Sequence, residues 1–182
     1  MTARELSFSV LKTASKSGTY SNIALDNALK RNELNDADRG LVTAIVMGVT
    51  ERRLTLDYII DKLAADPSRI ESETRDLLRM GIYQIIFMDK IPEYAAVNET
   101  VKLSARYAAR TKGLINAILR RTVREKDELP FPSGNSPEAL AIRHSIPLWI
   151  LESWQKDYPD KLEALCDAVN VTAPLTLRVS SA

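Results

Sequence analysis

The chain has 182 residues, of which 45% are hydrophobic and 27% charged, as is usual for a globular protein with one good core and room for a small second unit. Its 25 Lys and Arg residues nearly balance 24 Asp and Glu residues, so the total charge indicates no partner and only the distribution of charge can. A single Cys and a single His exclude an internal disulfide and a Cys/His zinc cluster, and the lack of a disulfide indicates a reducing cytoplasm. No apolar run reaches the roughly 20 residues of a membrane helix. No glycine-rich motif for binding a dinucleotide, and no P-loop, is present.

Apolar residues recur at helical spacing throughout the first 127 residues. Gly18 is placed to end the first helix, Ser21 and Asp36 are placed to cap the second and third, and Asp66-Pro67 ends the fourth. Short connections between many helices predict an all-α bundle. The apolar positions lie within seven segments, residues 3–14, 21–29, 41–49, 54–63, 77–86, 95–108 and 114–123.

Three glycines lie inside predicted helices, at Gly48, Gly81 and Gly113. Each costs about 1 kcal/mol relative to alanine in a helix interior. They are either tolerated or required where two helices approach closely, and we favour the second interpretation.

The composition changes after residue 128. Three prolines and a glycine in residues 129–137 exclude a continuous helix, so we assign residues 129–136 to a linker between a domain at 1–128 and a second segment at 137–182. Three short helices are predicted around 137–143, 147–156 and 160–169. The alternation in Leu175–Val179 predicts one β-strand with no partner in this chain, which would pair with another chain or continue into a larger protein.

Positive charge is concentrated around the last predicted helix of the bundle. Residues 102–126 contain many basic residues but only one acidic residue, Glu125. Cations near a helix C-terminus are favoured by about 0.3–1 kcal/mol each, but this effect does not require so many of them, because like charges repel. The cations are Lys102, Arg106, Arg110, Lys112, Arg120, Arg121, Arg124 and Lys126.

The first helix offers a second basic surface. Arg4, Phe8, Lys12 and Lys16 recur at every fourth residue, a pattern suited to an RNA backbone with a base stacked on the aromatic ring. The alternative is that Phe8 belongs to the core and the lysines are ordinary solvated surface. A third pair, Arg52-Arg53, carries less weight because an acid precedes it.

RNA is the partner that these patterns favour. A membrane-surface helix needs an apolar face left for lipid, whereas these apolar faces are committed to a bundle core. No helix-turn-helix or zinc-finger spacing supports DNA. Arginine binds phosphate with two parallel hydrogen bonds and stacks on bases. The candidate RNA-binding residues are Arg4, Lys12, Lys16, Lys112, Arg120, Arg121 and Arg124, and no metal site or membrane contact is expected.

Several segments together resemble the NusB-like RNA-binding domain. They are DADRGLVTAIVMGVTERRLTLDYIIDKL at 36–63, LLRMGIYQIIFMDKIPEYAAVNETVKLSA at 77–105 and KGLINAILRR at 112–121. The tail segments RHSIPLWILESW at 143–154 and NVTAPLTLRVSS at 170–181 are similar to those that follow this domain in the RsmB (Sun) family of bacterial 16S rRNA cytosine-C5 methyltransferases.

The resemblance implies a NusB-like bundle followed by the start of a linking subdomain. In that family an S-adenosylmethionine domain with two catalytic cysteines comes next, and we expect it to lie outside this chain. We therefore expect no catalytic residue and no cofactor in this chain, with S-adenosylmethionine bound by the full-length enzyme. Cys166 lies in ALCDAV rather than in the family's Pro-Cys context, so it is expected to be a buried apolar residue, and His144 to be structural.

The resemblance also changes the interpretation of individual residues. Gly113 would allow close packing of the bundle's closing helix, and Asn116 would be a buried polar group satisfied by neighbouring backbone. Asp38 and Arg39 would form a cap or an ion pair rather than bind a ligand.

The resulting hypothesis is the RNA-binding N-terminal part of an rRNA methyltransferase that acts on 16S rRNA. One rival is a NusB-type antitermination factor, which regulates transcription by binding RNA and a ribosomal protein. A second rival is a protein scaffold without RNA affinity. Homodimerisation is possible in each case, but nothing in the sequence supports it.

Overall fold

The computed structural model describes residues 1–171 and 176–177. The chain divides into two compact units, the first formed by Met1–Phe131 and the second beginning at Pro132. Within the described residues, no helix combines the length and the apolar character needed to span a bilayer.

All seven predicted helical segments of the first unit are helices, which confirms the all-α prediction for this part of the chain. Short 3₁₀ turns at Pro67–Arg69, Ala109–Thr111 and Lys126–Glu128 join or follow them. The helices are α1 (Ala3–Ser17), α2 (Ser21–Arg31), α3 (Asp36–Glu51), α4 (Arg53–Leu63), α5 (Ser72–Phe87), α6 (Glu93–Tyr107) and α7 (Lys112–Arg124).

Helix α5 lies at the centre of this unit. It packs against α1, α3, α4, α6 and α7, and ten of its sixteen residues are buried. A helix that is buried on almost every side must be apolar on almost every side. The sequence LLRMGIYQII meets that requirement except at Arg79 and Gln84, whose polar groups need partners inside the protein.

The helix ends follow local rules, with two corrections. Gly18 ends α1 in the left-handed conformation, with φ of 65°, as predicted. The predicted caps Ser21 and Asp36 are instead the first helical residues of α2 and α3. The N-cap of α3 is Asn35, whose Oδ1 accepts a hydrogen bond from the backbone N–H of Asp38 at 2.8 Å. An asparagine one residue earlier satisfies the same unpaired N–H groups that Asp36 was expected to cap.

Two of the three helix glycines mark close approaches between helices. A Cβ atom on Gly48 would lie 1.9 Å from Cζ of Tyr83, and one on Gly81 would lie 2.7 Å from Cδ2 of Leu119. The prediction of close packing is therefore confirmed at these positions. It is wrong at Gly113, where a Cβ would meet nothing within 4 Å, because this residue lies on the exposed first turn of α7.

A buried ion-pair cluster joins α4 and α5. The guanidinium of Arg79 donates to Asp57 through Nε at 2.8 Å and Nη2 at 2.9 Å, and to Oδ1 of Asp76 through Nη1 at 2.7 Å. Ser15 of α1 also donates to Oδ1 of Asp76, at 3.1 Å. Burial raises the pKa of Asp76, and the charge of Arg79 opposes that shift.

A second ion pair holds the end of α1 against α5. Both Lys12 and Lys16 contact Oε1 of Glu73, at 2.9 and 2.8 Å. Hydrogen bonds from Lys16 and then from Lys12 lower the pKa of the Glu73 carboxyl to about 2.

The second unit contains the three short helices predicted for it. They are α8 (Pro137–His144), α9 (Leu148–Asp157) and α10 (Leu162–Val169), and they surround a small core that includes Leu140, Leu151 and Cys166. Ser136 caps α8, with Pro137 in its first turn.

The predicted terminal strand finds no support in the described residues. Thr176 and Leu177 are described and do not form a strand, and Leu175, Arg178 and Val179 lie outside the described residues. A lone alternating segment has no hydrogen-bonding partner of its own, so its pattern alone is weak evidence for a strand.

We expect Gly48→Ala to destabilise the protein by about 1–3 kcal/mol, because the added methyl group overlaps the Tyr83 ring. Gly40→Ala in the same helix is the matched control. A Cβ at Gly40 meets nothing within 4 Å, so the higher helix propensity of alanine should stabilise the fold by up to about 1 kcal/mol. Urea unfolding measures both changes, and equal effects of the two substitutions would contradict the close approach.

Arg79→Ala should lower the free energy of unfolding by about 3–5 kcal/mol, since it leaves the buried carboxylate of Asp76 without its cation, whereas the partly exposed Asp57 keeps Arg75 at 3.4 Å. Arg69, whose side chain is 87% exposed, provides the comparison. Removing its surface ion pair should cost at most about 1 kcal/mol. Chemical denaturation of both variants tests the difference, and a loss below 1 kcal/mol for Arg79→Ala would contradict it.

The pKa of Glu73 predicts a pH-dependent contribution to stability. Its folded pKa of about 2 lies below its ordinary value of 4.5, so the contribution is present above pH 4.5 and is lost as pH falls toward 2. Glu73→Gln should therefore be less stable than the parent near neutral pH, with a difference that shrinks over this range. Urea titrations across pH measure it, with Glu33→Gln as an exposed control; a pH-independent difference would refute the assignment.

Candidate nucleic-acid interface

Helix α7 separates apolar and cationic residues onto different faces. Ile115, Ile118, Leu119 and Thr122 are buried against the core of the first unit. The four candidate cations of this helix are all exposed, at Lys112, Arg120, Arg121 and Arg124. The spacing of apolar residues therefore fixes where the positive charge must lie.

Arg120 is held by a neutral partner. Its Nε donates to Oδ1 of Asn116 at 3.1 Å, across one helical turn. Asn116 is half-buried and accepts from this side chain instead of bonding to any described backbone group, so the expectation of a buried amide bonded to backbone is wrong. Among the described residues no carboxylate pairs with Arg120 or with Lys112, which leaves their charges available to a ligand.

The other two arginines share one acid. Arg121 Nε contacts Glu125 at 2.9 Å, and Arg124 Nη2 contacts it at 3.1 Å. Hydrogen bonds from Arg124 and then Arg121 lower the pKa of the Glu125 carboxyl. Arg121 also donates to the backbone oxygen of Leu63 at 3.3 Å, which ties α7 to α4. One carboxylate cannot neutralise two guanidinium groups, so these three side chains together keep one net positive charge.

The cations of α1 are more fully engaged by the protein itself. Arg4 is half-buried and donates to Oε1 of Gln84 at 2.7 Å, and Glu73 binds both Lys12 and Lys16. The aromatic residue between them is not a stacking surface, because Phe8 is only 1% exposed. Of the two interpretations of Phe8, base stacking is therefore wrong and the core position is confirmed: its ring centroid lies 4.9 Å from that of Tyr107.

The polar residues that were given less weight as RNA contacts bond to other parts of the protein. Arg52 lies over the ring of Phe87 at 5.5 Å, and Arg53 lies 4.0 Å from Asp57. Asp38 belongs to the N-terminal cap of α3, as expected. Arg39 instead donates to the backbone oxygen of Leu29 at 3.1 Å, which is a structural contact but not the ion pair.

Sequence reasoning missed an open groove between α6 and α7. The groove has a volume of about 750 Å³, and an exposed tyrosine, Tyr94, stands at its edge. Tyrosine is intermediate in burial among residue types, so its residue type gave no signal, and only its position at the second residue of α6 could have suggested exposure. The lining residues are Glu93, Tyr94, Val97, Asn98, Arg120, Val123 and Arg124.

No described cluster of His, Cys, Asp and Glu is arranged to hold a metal ion. Cys166 is fully buried, and burial raises the pKa of its thiol, which disfavours the reactive thiolate. His144 lies in the second unit, with Nδ1 at 3.3 Å from the side-chain amide of Asn170. Both residues therefore have the structural environments that the sequence suggested.

Comparison with known proteins agrees with this architecture. Residues 1–124 match the NusB family, and residues 146–182 match the ferredoxin-like domain of RsmF/B-like methyltransferases. A probable ribosomal RNA small subunit methyltransferase B of Synechocystis is 31% identical over 99% of this chain and 41% of its own length. Its namesake in Bacillus subtilis is 29% identical over 97% of this chain and 40% of its own length.

A further relative, ribosomal RNA small subunit methyltransferase B of Escherichia coli O1:K1, is 34% identical over 82% of this chain and 34% of its own length. The chain therefore spans at most about two fifths of these relatives. Because the first match covers the whole helical bundle from α1 to α7, the chain belongs to the NusB family, and it carries in addition a segment of the RsmF/B-type ferredoxin-like domain.

Proposed function

We propose that this chain is the RNA-binding N-terminal portion of a cytoplasmic, S-adenosylmethionine-dependent 16S rRNA cytosine-C5 methyltransferase. The observation that carries the proposal is the extent of the similarity. Relatives named ribosomal RNA small subunit methyltransferase B match 97–99% of the chain, through the NusB bundle and beyond it. The role of the bundle would be to hold rRNA in position for a catalytic domain outside this sequence.

Electrostatic attraction to phosphate supports this role for α7. Arg120 and Lys112 have no carboxylate partner among the described residues, and Arg121 and Arg124 share only Glu125. Such a surface gives affinity for the backbone without sequence selection, which suits a positioning domain. Arg4, Lys12 and Lys16 would contribute less, because an RNA phosphate must compete with their protein partners.

The methyl-transfer chemistry is assigned to the rest of the proposed enzyme. The described part of this chain offers no strand followed by a glycine-rich turn and a helix, the usual cradle for such a cofactor, and its cysteine is buried. S-adenosylmethionine therefore does not fit the described residues. Methyl donation would take place in a separate domain.

The rival function is that of a NusB-type antitermination factor that binds RNA and a ribosomal protein. Membership of the NusB family is compatible with either role. The match of residues 146–182 to a methyltransferase-associated domain favours the rRNA-modifying role.

We expect the double variant Arg120→Ala/Arg124→Ala to bind a 16S rRNA hairpin more weakly without loss of fold, since both side chains are exposed. Each lost phosphate contact should reduce the slope of log K against log salt concentration by about 0.7–0.9. Fluorescence titrations at several salt concentrations measure both quantities, with circular dichroism to confirm the helical content.

Lys30→Ala/Arg31→Ala removes the same charge from α2 and is the matched control. Equal weakening by both double variants would mean that only net charge matters, which would contradict a site on α7. Parent-protein binding no tighter than that of an unrelated protein of equal charge would refute the proposed function itself.

A further inference from the structure

The groove between α6 and α7 combines three features in one place. Its floor includes Val97 and Val123, its edge carries Tyr94, a residue that is 72% exposed, and its rim carries Arg120 and Arg124. The cavity volume of about 750 Å³ falls within the range of small-ligand sites, about 300–1,000 Å³.

No contact of the Tyr94 side chain within the protein explains its position. Its side chain makes no hydrogen bond and no ring contact with any residue in the described part of the chain, and its ring is not part of the core. A large exposed aromatic side chain beside an apolar floor offers a surface on which a planar group can stack. By contrast, Tyr58, Tyr83 and Tyr107 of the same bundle each contact a cation or an aromatic ring of the protein.

The charge around the groove is suited to an anionic chain. The single acid in its lining, Glu93, is paired with Lys126 at 3.1 Å. Arg124 is paired only with Glu125, which it shares with Arg121, and Arg120 is bonded to the neutral Asn116. Two arginines and one paired acid therefore line the groove beside an aromatic ring, and cations next to an aromatic platform are the combination that single-stranded nucleic acid recognises.

The lining also contains a group that can read a base edge. Asn98 is exposed, one turn after Tyr94 on α6, and its amide carries both donors and an acceptor. Phosphate-binding cations alone would not require this amide or an aromatic ring beside them. An apolar peptide helix would require a longer hydrophobic floor than two valines provide.

We propose that this groove binds an unpaired RNA nucleobase, stacked on Tyr94 over the Val97 and Val123 floor, with its flanking phosphates on Arg120 and Arg124. The inference rests on the proposed RNA-binding function and adds a base-stacking subsite to it. Asn98 faces the edge of the bound base, so the groove selects unpaired over base-paired RNA.

The test compares Tyr94→Leu with Tyr94→Phe in the full chain, using a labelled single-stranded RNA of about 12 nucleotides, within the usual range of site sizes. A second probe of the same length carries abasic residues, which keep the phosphates and remove the bases. Tyr94→Leu should weaken binding of the base-bearing RNA by about 5- to 150-fold, the usual range for loss of one stacked base. Tyr94→Phe should bind like the parent, and the abasic RNA should not distinguish the three proteins.

Tyr158→Leu is the matched control, because Tyr158 is 53% exposed and lies in the second unit. Thermal unfolding checks that every variant is folded. Unchanged binding by Tyr94→Leu, an equal loss with the abasic probe, or an equal loss in Tyr94→Phe would each overturn the stacking subsite while leaving the proposed function intact. A parent protein that binds neither RNA above a charge-matched control would instead refute the proposed function.

Discussion

Neutralisation of Arg79 inside the first unit is the constraint on which the rest of the bundle depends. Helix α5 is surrounded by five other helices, so a guanidinium on it must find carboxylates within the protein, and it finds Asp57 on α4 and Asp76 one turn before it. Removing one partner of such a buried cluster leaves an uncompensated charge, which is far more costly than breaking a surface pair. Ser15 extends the cluster to α1, so one set of hydrogen bonds orients three helices.

The packing of α7 on this centre explains why the chain can be almost neutral and still present a cationic surface. Leu119 of α7 lies against α5 at Gly81, where only a glycine leaves room for it. Once that face is fixed, Arg120 and Arg124 must point away from the core, because residues on the opposite side of an amphipathic helix are exposed. The close packing of α7 on α5 therefore also determines where the positive charge of α7 lies.

The same reasoning distinguishes two basic patterns that look alike in the sequence. The cations of α1 face α5, where Glu73 binds Lys12 and Lys16, whereas those of α7 face solvent with one acid between Arg121 and Arg124. A four-residue spacing predicts that side chains share a helix face, but it contains no information about which face of another helix lies opposite. That difference makes α7 the stronger candidate for binding phosphate.

The sequence by itself determined the helices, their order, the two helix-packing glycines Gly48 and Gly81 and the family, because these depend on local periodicity and on motifs that are continuous in the chain. Only the tertiary structure decided the partners of each cation, the burial of Phe8, the open space at Gly113 and the groove beside Tyr94. Those features bring together residues far apart in sequence, such as α6 and α7 around the groove. Contacts of that kind are set by how helices pack, and no short window of residues encodes them.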